Sequence, residues 1–326
     1  MKTIRWGIIG CGDVTEVKSG PGFQKAEHSS LDMVMRRNGE LAEDYARRHN
    51  VPRWTTDAEE VILDPNIDAV YVATPPAYHH MYALQCAKAG KPVYVEKPMA
   101  MNYRECWEMV HACKEAKVPL FVAYYRRALP RFLKIKELLA AKTIGDVRFV
   151  TMKNYQKARL EDGSSELPWR VIPEISGGGL FMDLASHTLD IFDFLLGPIT
   201  DAAGETANLA GLYEPEDTVT ASFAFQGGVL GTGVWNFCAF ENVDVNEIVG
   251  SRGKLTFSTF GTEPIFVTTE DGTTEVPAPT PQHIQQPLIQ TIVNHLNGTG
   301  SAPSTGETAA RTSHVMETIV QGYVKD

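Results

Sequence analysis

The sequence predicts an α/β protein of two domains: an N-terminal doubly wound parallel sheet, and a C-terminal α/β domain with a large, mostly antiparallel sheet. The chain has 326 residues, more than one hydrophobic core usually holds. Apolar strand patterns alternate with helical patterns over residues 1–123, as in a doubly wound fold. From residue 124 onward, strand patterns follow one another across turns such as Gly227-Gly228, which indicates antiparallel pairing. We therefore expect domains at residues 1–123 and 124–326.

The elements follow from hydrophobic period and length. In the first domain we expect strands at 4–9, 31–35, 69–73, 93–95 and 120–123. We expect helices between them at 40–49, 57–63, 79–89 and 103–116. In the second domain we expect strands at 147–157, 218–225, 229–237, 243–249, 254–258 and 265–268. We expect its helices near 129–139, from the glycines at 177–179 to Gly197, at 284–296 and at 307–323.

Composition excludes several classes of function. The formal net charge of -10 argues against nonspecific binding to nucleic acid or to an anionic membrane. No apolar run approaches the roughly 18 residues of a membrane span, and the N-terminus enters a strand without a signal-peptide core. The five cysteines are scattered and form no Cys-x-x-Cys pair, so neither disulfides nor a metal site is indicated. We expect a cytoplasmic protein with reduced thiols.

A glycine turn follows the first strand. Gly10 permits a tight turn, and Gly12 lets backbone amides approach a pyrophosphate, as dinucleotide binding requires. Thr15 stands where the fingerprint has Gly or Ala, and Gly20-Pro21-Gly22 should shorten or rebuild the first helix. An ordinary tight turn is the alternative. The predicted contacts to the dinucleotide in this turn are Gly10, Gly12, Asp13 and Val14.

Two arginines, Arg36 and Arg37, end the second strand. A site that prefers NAD usually has Asp or Glu there, whereas guanidinium groups suit a 2′-phosphate. A basic surface loop is the alternative, because Arg47 and Arg48 follow on the next helix. The sequence therefore predicts NADP as the cofactor, with NAD as the second choice.

The ends of the next two strands carry further candidates. Thr74-Pro75 follows the all-apolar strand, and a dinucleotide often lies over such a strand end. His79 begins the next helix, where bonding to the backbone is its more common role. Glu96-Lys97 follows the strand at 93–95, so the Lys97 ammonium can point into the ligand crevice at the carboxyl end of the sheet. A solvated lysine is the alternative there.

A second constellation lies on an apolar helix that follows three glycines. Asp183, His187 and Asp190 have the spacing i, i+4 and i+7, which places them on one helix face. The helix is apolar nearly all round, so it should be buried. A buried carboxylate or imidazole costs several kcal/mol unless it is partnered, and a function would explain that cost. A structural His-Asp pair is the alternative, and Asp190 fits a bracing role best.

Taken together, these motifs resemble the Gfo/Idh/MocA family of oxidoreductases. The resemblance covers both halves of the chain, and a finer similarity points to branches related to 1,5-anhydro-D-fructose reductase. It implies a Rossmann domain, a C-terminal sheet that often forms the dimer interface, and NAD(P)-linked hydride transfer to or from a sugar, ketosugar or polyol. The matching runs are Gly10 to Gly12, Thr74 to His79, Gly90 to Pro98, and Asp183 to His187.

The resemblance also implies roles for single residues. Lys97, Asp183 and His187 match the family's catalytic positions, and Glu96 and Lys97 are expected near the cofactor. Either Lys97 or His187 would pass the proton, while the other stabilises the developing charge on oxygen. We expect a homodimer or a homotetramer. The candidate substrate contacts are Tyr124, Arg126, Trp169 and Arg170.

Two other functions remain open at this point. One is an NAD-dependent glycosidase of the same family, in which the cofactor is oxidised and reduced within one cycle. The other is a catalytically silent nucleotide-binding regulatory protein, against which the joint presence of Lys97, Asp183 and His187 argues. An aromatic dihydrodiol or another cyclic alcohol also remains open as a substrate.

Overall fold

A computed structural model describes residues 1–158 and 167–321 of the chain. Two compact units result: the first combines Met1–Leu129 with Pro281–Ala310, and the second combines Pro130–Thr280 with the described residues from Arg311 onward. The sequence instead suggested one break after residue 123, with the second domain running to the end. It did not indicate the return of 281–310, because an amphipathic helix has the same pattern whichever sheet it packs on.

The first unit is built on a six-stranded, wholly parallel sheet in the order β3-β2-β1-β4-β5-β6. The reversal of strand order between β1 and β4 is the switch point at which such sheets bind ligands. The strands are β1 Ile4–Ile9, β2 Ser29–Met35, β3 Arg53–Thr55, β4 Ala69–Val72, β5 Val93–Val95 and β6 Leu120–Val122.

Helices of the first unit follow the strands as expected, with one addition. Gly20-Pro21-Gly22 does not merely interrupt a helix but begins one, with the proline in its first turn, where no backbone N–H is needed. The helices are α1 Asp13–Val17, α2 Gly20–Lys25, α3 Gly39–Arg48, α4 Ala58–Leu63, α5 His79–Lys88, α6 Tyr103–Glu115 and α10 Gln286–Leu296.

An aromatic cluster packs α2 onto the sheet. Tyr71 and Tyr94 are direct partners on β4 and β5, and their rings stack at 4.8 Å. Phe23 of α2 lies 5.1 Å from the Tyr71 ring and 4.8 Å from the Trp6 ring. All four side chains are fully buried, so this cluster holds the start of the chain against the strands that end at the candidate site.

The second unit is built on an eight-stranded sheet in the order β14-β13-β12-β11-β7-β10-β9-β8. Only β7 and β10 pair in parallel; the other neighbours are antiparallel, which confirms the predicted fold class. The strands are β7 Val147–Lys157, β8 Ile199–Ala207, β9 Thr218–Phe225, β10 Leu230–Ala239, β11 Val243–Gly250, β12 Gly253–Phe257, β13 Ile265–Thr269 and β14 Gly272–Val276.

The helices of this unit include the expected apolar one. A π-helical turn, Phe181–Ala185, leads into α9 and is continuous with it. The helix at the end of the chain was expected to reach Tyr323, which lies outside the described residues. The helices are α7 Pro130–Ala140, α8 Pro173–Ser176, α9 Ser186–Leu196 and α11 Gly306–Val320. Over residues 1–158 and 167–321, every helix is too short or too polar to cross a bilayer.

Candidate functional site

The glycine turn after β1 needs its two glycines for different reasons. Gly10 has φ +92°, and a Cβ there would lie 2.9 Å from Cγ2 of Thr74. A Cβ on Gly12 would meet no heavy atom closer than the Gly10 carbonyl oxygen at 3.9 Å. The first glycine therefore permits close packing against the end of β4, and the second leaves the backbone of the turn open to a ligand.

The departure at Thr15 is accommodated inside the fold. Its hydroxyl donates to the Gly12 carbonyl at 2.7 Å, and its own carbonyl accepts from the Tyr45 hydroxyl at 2.9 Å. Thr15 thus ties α1 to the glycine turn and to α3, and α1 ends after five residues. Asp13 and Val14 form the first turn of α1, directly after the open backbone of Gly12.

Arg36 and Arg37 follow β2 and have different surroundings. Arg36 Nη1 donates to the carbonyl of Cys11 at 3.4 Å, so this guanidinium group contacts the glycine turn. The Arg37 guanidinium lies 5.6 Å from the centre of the Tyr78 ring, within cation–π range. Both cationic groups therefore lie beside segments that follow β1 and β4, where the adenosine half of a dinucleotide could be held.

His79 connects the ends of β4 and β5. Its ring nitrogens lie 2.6 Å from the Thr74 carbonyl oxygen and 3.0 Å from that of Pro98. The side chain is fully buried, and burial lowers the pKa of His79. It therefore holds two strand ends together, in keeping with the backbone-bonding alternative.

The Thr74 hydroxyl is buried and has no hydrogen-bond partner in the described part of the chain, and Pro75 continues in extended conformation.

Glu96, which precedes Lys97, lies in a buried hydrogen-bond network. Its Oε1 accepts from the Tyr71 hydroxyl at 2.5 Å and from Gln285 Nε2 at 2.7 Å. Its Oε2 accepts from the backbone N–H of Lys97 at 3.1 Å. The carboxylate thus fixes the backbone that carries Lys97 rather than facing a ligand. The sequence did not indicate a role for Gln285, because a single glutamine in a loop 189 residues from Glu96 belongs to no motif.

Lys91, in the same motif as Lys97, has a structural role. Its ammonium donates to the carbonyl of Asp64 at 2.7 Å and to that of Ile67. Both carbonyls belong to the turn that enters β4, and burial lowers the pKa of Lys91. This lysine therefore bonds to both ends of the turn and holds it against the start of β5.

Tyr124 and Arg126 follow β6 and are both buried. Arg126 lies on a one-turn helix, Tyr125–Ala128, with its guanidinium 4.9 Å from the centre of the Tyr125 ring. The next residue, Arg127, donates to the carbonyl of Pro303 at 3.3 Å. This segment therefore carries two cations at the carboxyl end of the parallel sheet, where a ligand's polar groups could be bound.

In the second unit, a π-helical turn places Asp183 immediately before α9. π-helical turns are rare and recur at functional sites. Asp183 lies within this turn and His187 lies on α9. Asp183 pairs with Arg170, whose Nε lies 3.3 Å from Oδ2, and the Arg170 guanidinium lies 4.6 Å from the centre of the Trp169 ring. Three sequence candidates are thus brought together.

His187 is buried on α9 beside Phe260, with the ring centres 5.7 Å apart in an edge-to-face arrangement. Phe260 is held by Asp244, whose two carboxylate oxygens accept from the backbone N–H groups of Thr259 at 3.0 Å and Phe260 at 2.6 Å. Asp244 was missed because a lone aspartate within a strand carries no motif. Asp190 accepts from the Thr312 hydroxyl at 3.4 Å, which fits the bracing role.

Comparisons with known proteins support this reading of the fold. Residues 4–124 match the model described as an oxidoreductase family with an NAD-binding Rossmann fold, and residues 132–256 match the GFO/IDH/MocA C-terminal domain. The chain is 42% identical to Oxidoreductase P35 of Formosa agariphila over 96% of this chain and 97% of that one. It is 27% identical to the 1,5-anhydro-D-fructose reductase of Ensifer adhaerens over 93% and 91% of the two chains.

A solved structure gives the same fold. Levoglucosan dehydrogenase in complex with NADH and levoglucosan superposes with a TM-score of 0.86, covering 98% of this chain and 96% of that one. The sequences are 23% identical, so this likeness concerns the fold alone.

Across residues 1–158 and 167–321, no group of three or more His, Cys, Asp or Glu side chains is arranged to hold a metal ion.

Proposed function

Because the chain belongs to the GFO/IDH/MocA oxidoreductase family, we propose that it transfers a hydride between NADP(H) and a sugar, ketosugar or polyol. The chain is an NAD(P)-dependent oxidoreductase that acts on CH–OH groups. The observation that carries the finer proposal is the family match across both halves, together with a lysine at the end of β5 and the open glycine turn after β1.

The first unit has the features that a dinucleotide requires. The backbone at Gly12 is open, the buried Thr74 hydroxyl has no hydrogen-bond partner among the described residues, and two guanidinium groups follow β2. We assign the pyrophosphate to the turn from Gly10 to Val14, and the 2′-phosphate of NADP to Arg36 and Arg37. The absence of an acid after β2 supports NADP over NAD.

The chemistry that NAD(P) supplies when bound is hydride exchange at the carbinol or carbonyl carbon. In our proposal Lys97 and His187 act on the substrate oxygen: one moves the proton, and the other stabilises the developing negative charge. Asp183 orients the reacting groups, and its ion pair with Arg170 fixes the carboxylate. Trp169 and Arg170 are proposed to bind substrate hydroxyls from the second unit, and Tyr124 and Arg126 from the first.

The test of the catalytic assignment is Lys97→Met. We expect turnover to fall by at least 10²-fold, on the order of the loss when a general acid–base or charge-stabilising group is removed, while NADPH affinity changes little. Turnover would be followed as NADPH oxidation with a panel of ketosugars and as NADP reduction with polyols, glycosides and a trans-dihydrodiol. Lys88→Met, at an exposed position on α5, is the matched control. A Lys97→Met enzyme with full turnover would contradict the assignment.

The cofactor proposal is tested by titrating the protein with NADPH and NADH in parallel while following nicotinamide fluorescence. Tighter binding of NADPH supports the two arginines as 2′-phosphate ligands. Equal or tighter binding of NADH would refute the NADP preference and direct the screen to oxidation with NAD. Release of sugar from a glycoside without net cofactor change would identify the glycosidase instead.

We further propose a cytoplasmic homodimer or homotetramer. All five cysteines are free thiols, as is usual in a reducing compartment. The large sheet of the second unit carries exposed apolar side chains such as Phe149, Leu230 and Val245. Light scattering at working concentration measures the assembly.

A further inference from the structure

Gln285 is a fully buried glutamine that directly precedes α10 in the first unit. Its carboxamide lies between two groups of the same chain segment, Tyr94 on β5 and Glu96 directly after it. Gln285 Nε2 donates to Glu96 Oε1 at 2.7 Å, and Gln285 Oε1 accepts from the Tyr94 hydroxyl at 3.1 Å. A flipped amide would put an oxygen against the carboxylate, so these two partners allow one orientation only.

The amide is one link in a chain of hydrogen bonds that ends on the backbone of Lys97. Glu96 accepts from Tyr71 and Gln285 through one oxygen, and from the Lys97 N–H through the other. Bonds to an ionised acceptor are the shorter and stronger kind, and both bonds to Oε1 fall in that class. With both oxygens engaged, the carboxylate plane cannot rotate without breaking a bond.

The donors in this network stay protonated across the range in which the enzyme can be assayed. Burial raises the pKa of Tyr71 and of Tyr94 well above the ordinary tyrosine value. Further titratable groups face the network: His79 interacts with Glu96, Tyr125 interacts with Tyr94, and Lys97 directly follows Glu96. Gln285 is the one member of the network that comes from the returning segment 281–310.

We propose that Gln285 positions Lys97 for proton or charge transfer by fixing the Glu96 carboxylate. This inference rests on the catalytic role proposed for Lys97. Gln285 is a positioning residue, since it acts through Glu96 and reaches no reacting atom itself. A carboxylate held by three donors keeps the Lys97 backbone in place, and loss of the Gln285 donor leaves Oε1 with the Tyr71 hydroxyl alone.

The decisive variant is Gln285→Glu, because its effect depends on pH. A protonated glutamic acid has the shape of glutamine: its O–H can donate to Glu96 and its carbonyl can accept from Tyr94. Once ionised, it faces Glu96 as a second carboxylate, and like charges in one site raise the pKa of the pair. We expect kcat near the wild-type value at low pH. It should fall by about 10-fold or more as pH rises, since small misplacements cost up to 10²-fold.

Gln285→Met supplies the second arm. Methionine keeps the volume but lacks the donor, so kcat should fall by about 10- to 10²-fold at every pH, with KM and NADPH affinity nearly unchanged. With NADPH deuterated at the transferred position, the isotope effect on kcat should increase, because a displaced lysine slows the chemical step. Thermal unfolding at each pH separates this effect from loss of the fold.

Gln290 on the same helix provides the matched control. Among the residues that the structure describes, its side chain bonds to the backbone of Glu27 and to the side chain of Asn294, and not to Glu96. Gln290→Glu and Gln290→Met should leave the pH profile and the isotope effect unchanged.

The outcomes separate the two proposals. If Lys97→Met is inactive, and Gln285→Glu shows the added pH step without a parallel loss of NADPH affinity or melting temperature, the positioning role is supported. Wild-type kcat in both Gln285 variants overturns it, as does a loss of kcat that only follows unfolding. If Lys97→Met stays active, the catalytic assignment fails first, whatever the Gln285 variants do.

Discussion

Arg37 is the residue whose substitution best distinguishes NADPH binding from NADH binding. Its guanidinium lies against the Tyr78 ring, whereas Arg36 donates to the glycine turn and so has a part in holding that turn. Replacing Arg37 removes charge without removing a bond to the protein backbone.

We predict that Arg37→Ala weakens NADPH binding about 10- to 10²-fold, because hydrogen bonds to charged groups contribute roughly 1.5–3 kcal/mol. NADH has no 2′-phosphate, so its affinity should change little. Fluorescence titration with both cofactors measures the difference. Arg47→Ala on α3, where the exposed arginine pairs with Asp44, serves as control. Equal weakening of both cofactors would show that Arg37 does not read the phosphate.

Single residues show how far the sequence could predict the site. The motif around Lys97 was recognisable, yet it contains Lys91, which bonds to a turn, and Glu96, which holds the backbone. A motif shows that its residues act together but not which of them faces the ligand. Gln285 could not be found, because its role depends on a contact across 189 residues, and no local pattern encodes such a contact.

At the scale of elements, α1 and α3 are joined by a cluster of charged side chains. Glu16 on α1 accepts from Arg48 at 2.7 Å and pairs with His49 at 2.7 Å. The hydrogen bond from Arg48 lowers the pKa of Glu16 from 4.5 to about 2. A carboxyl group with a lowered pKa stabilises the fold above its unfolded pKa, and that contribution is lost as pH falls toward its folded pKa.

We therefore predict that Glu16→Gln lowers the free energy of unfolding at neutral pH and that this difference disappears between about pH 4.5 and pH 2. Urea unfolding followed by circular dichroism over that pH range measures it. Glu43→Gln, at an exposed position on α3, is the control. A constant difference between wild type and Glu16→Gln down to pH 2 would contradict the ion-pair account.

The sequence did not predict β3, β8 and β14, because each lacks a clear strand pattern. The three residues of β3 are too few for a period to show. The β8 sequence contains three alanines and a glycine, which are poor strand formers, and it lies at one edge of the sheet. β14 lies at the other edge, with four of its five residues exposed, so it lacks an alternating apolar face. The strands between the sheet edges were all predicted, because each has at least one buried face.

At the scale of the whole molecule, the main feature is that the first unit is discontinuous in sequence. Four side chains of α10 are fully buried, and α10 packs on α2, where a Cβ on Gly22 would lie 2.8 Å from Ile289. The sequence predicted the helix at 284–296 but not its unit, because amphipathicity indicates that a helix packs, not on what. The buried side chains of α10 are Leu288, Ile289, Ile292 and Val293.

We predict that residues 1–129 alone do not fold cooperatively, whereas the same residues joined by a flexible linker to 281–310 do. Losing the contacts of four buried aliphatic side chains costs roughly 6–12 kcal/mol, at about 1.5–3 kcal/mol each, comparable with the whole stability of a domain. Urea unfolding compares the two proteins. A fusion with Leu288→Asp and Ile289→Asp should behave like the short fragment. A sharp transition in residues 1–129 alone would refute the prediction.

The return of Pro281–Ala310 also sets the order in which the protein is completed on the ribosome. The codons for α10 are translated only after the roughly 150 residues from Pro130 to Thr280, which takes about 8–30 s at 5–20 residues per second. During that interval the nascent first unit lacks its last helix and presents apolar surface at α2. The second unit in turn waits for the residues from Arg311 onward. The first unit therefore stays incomplete while the second is being made, and in that interval its exposed apolar surface is open to aggregation.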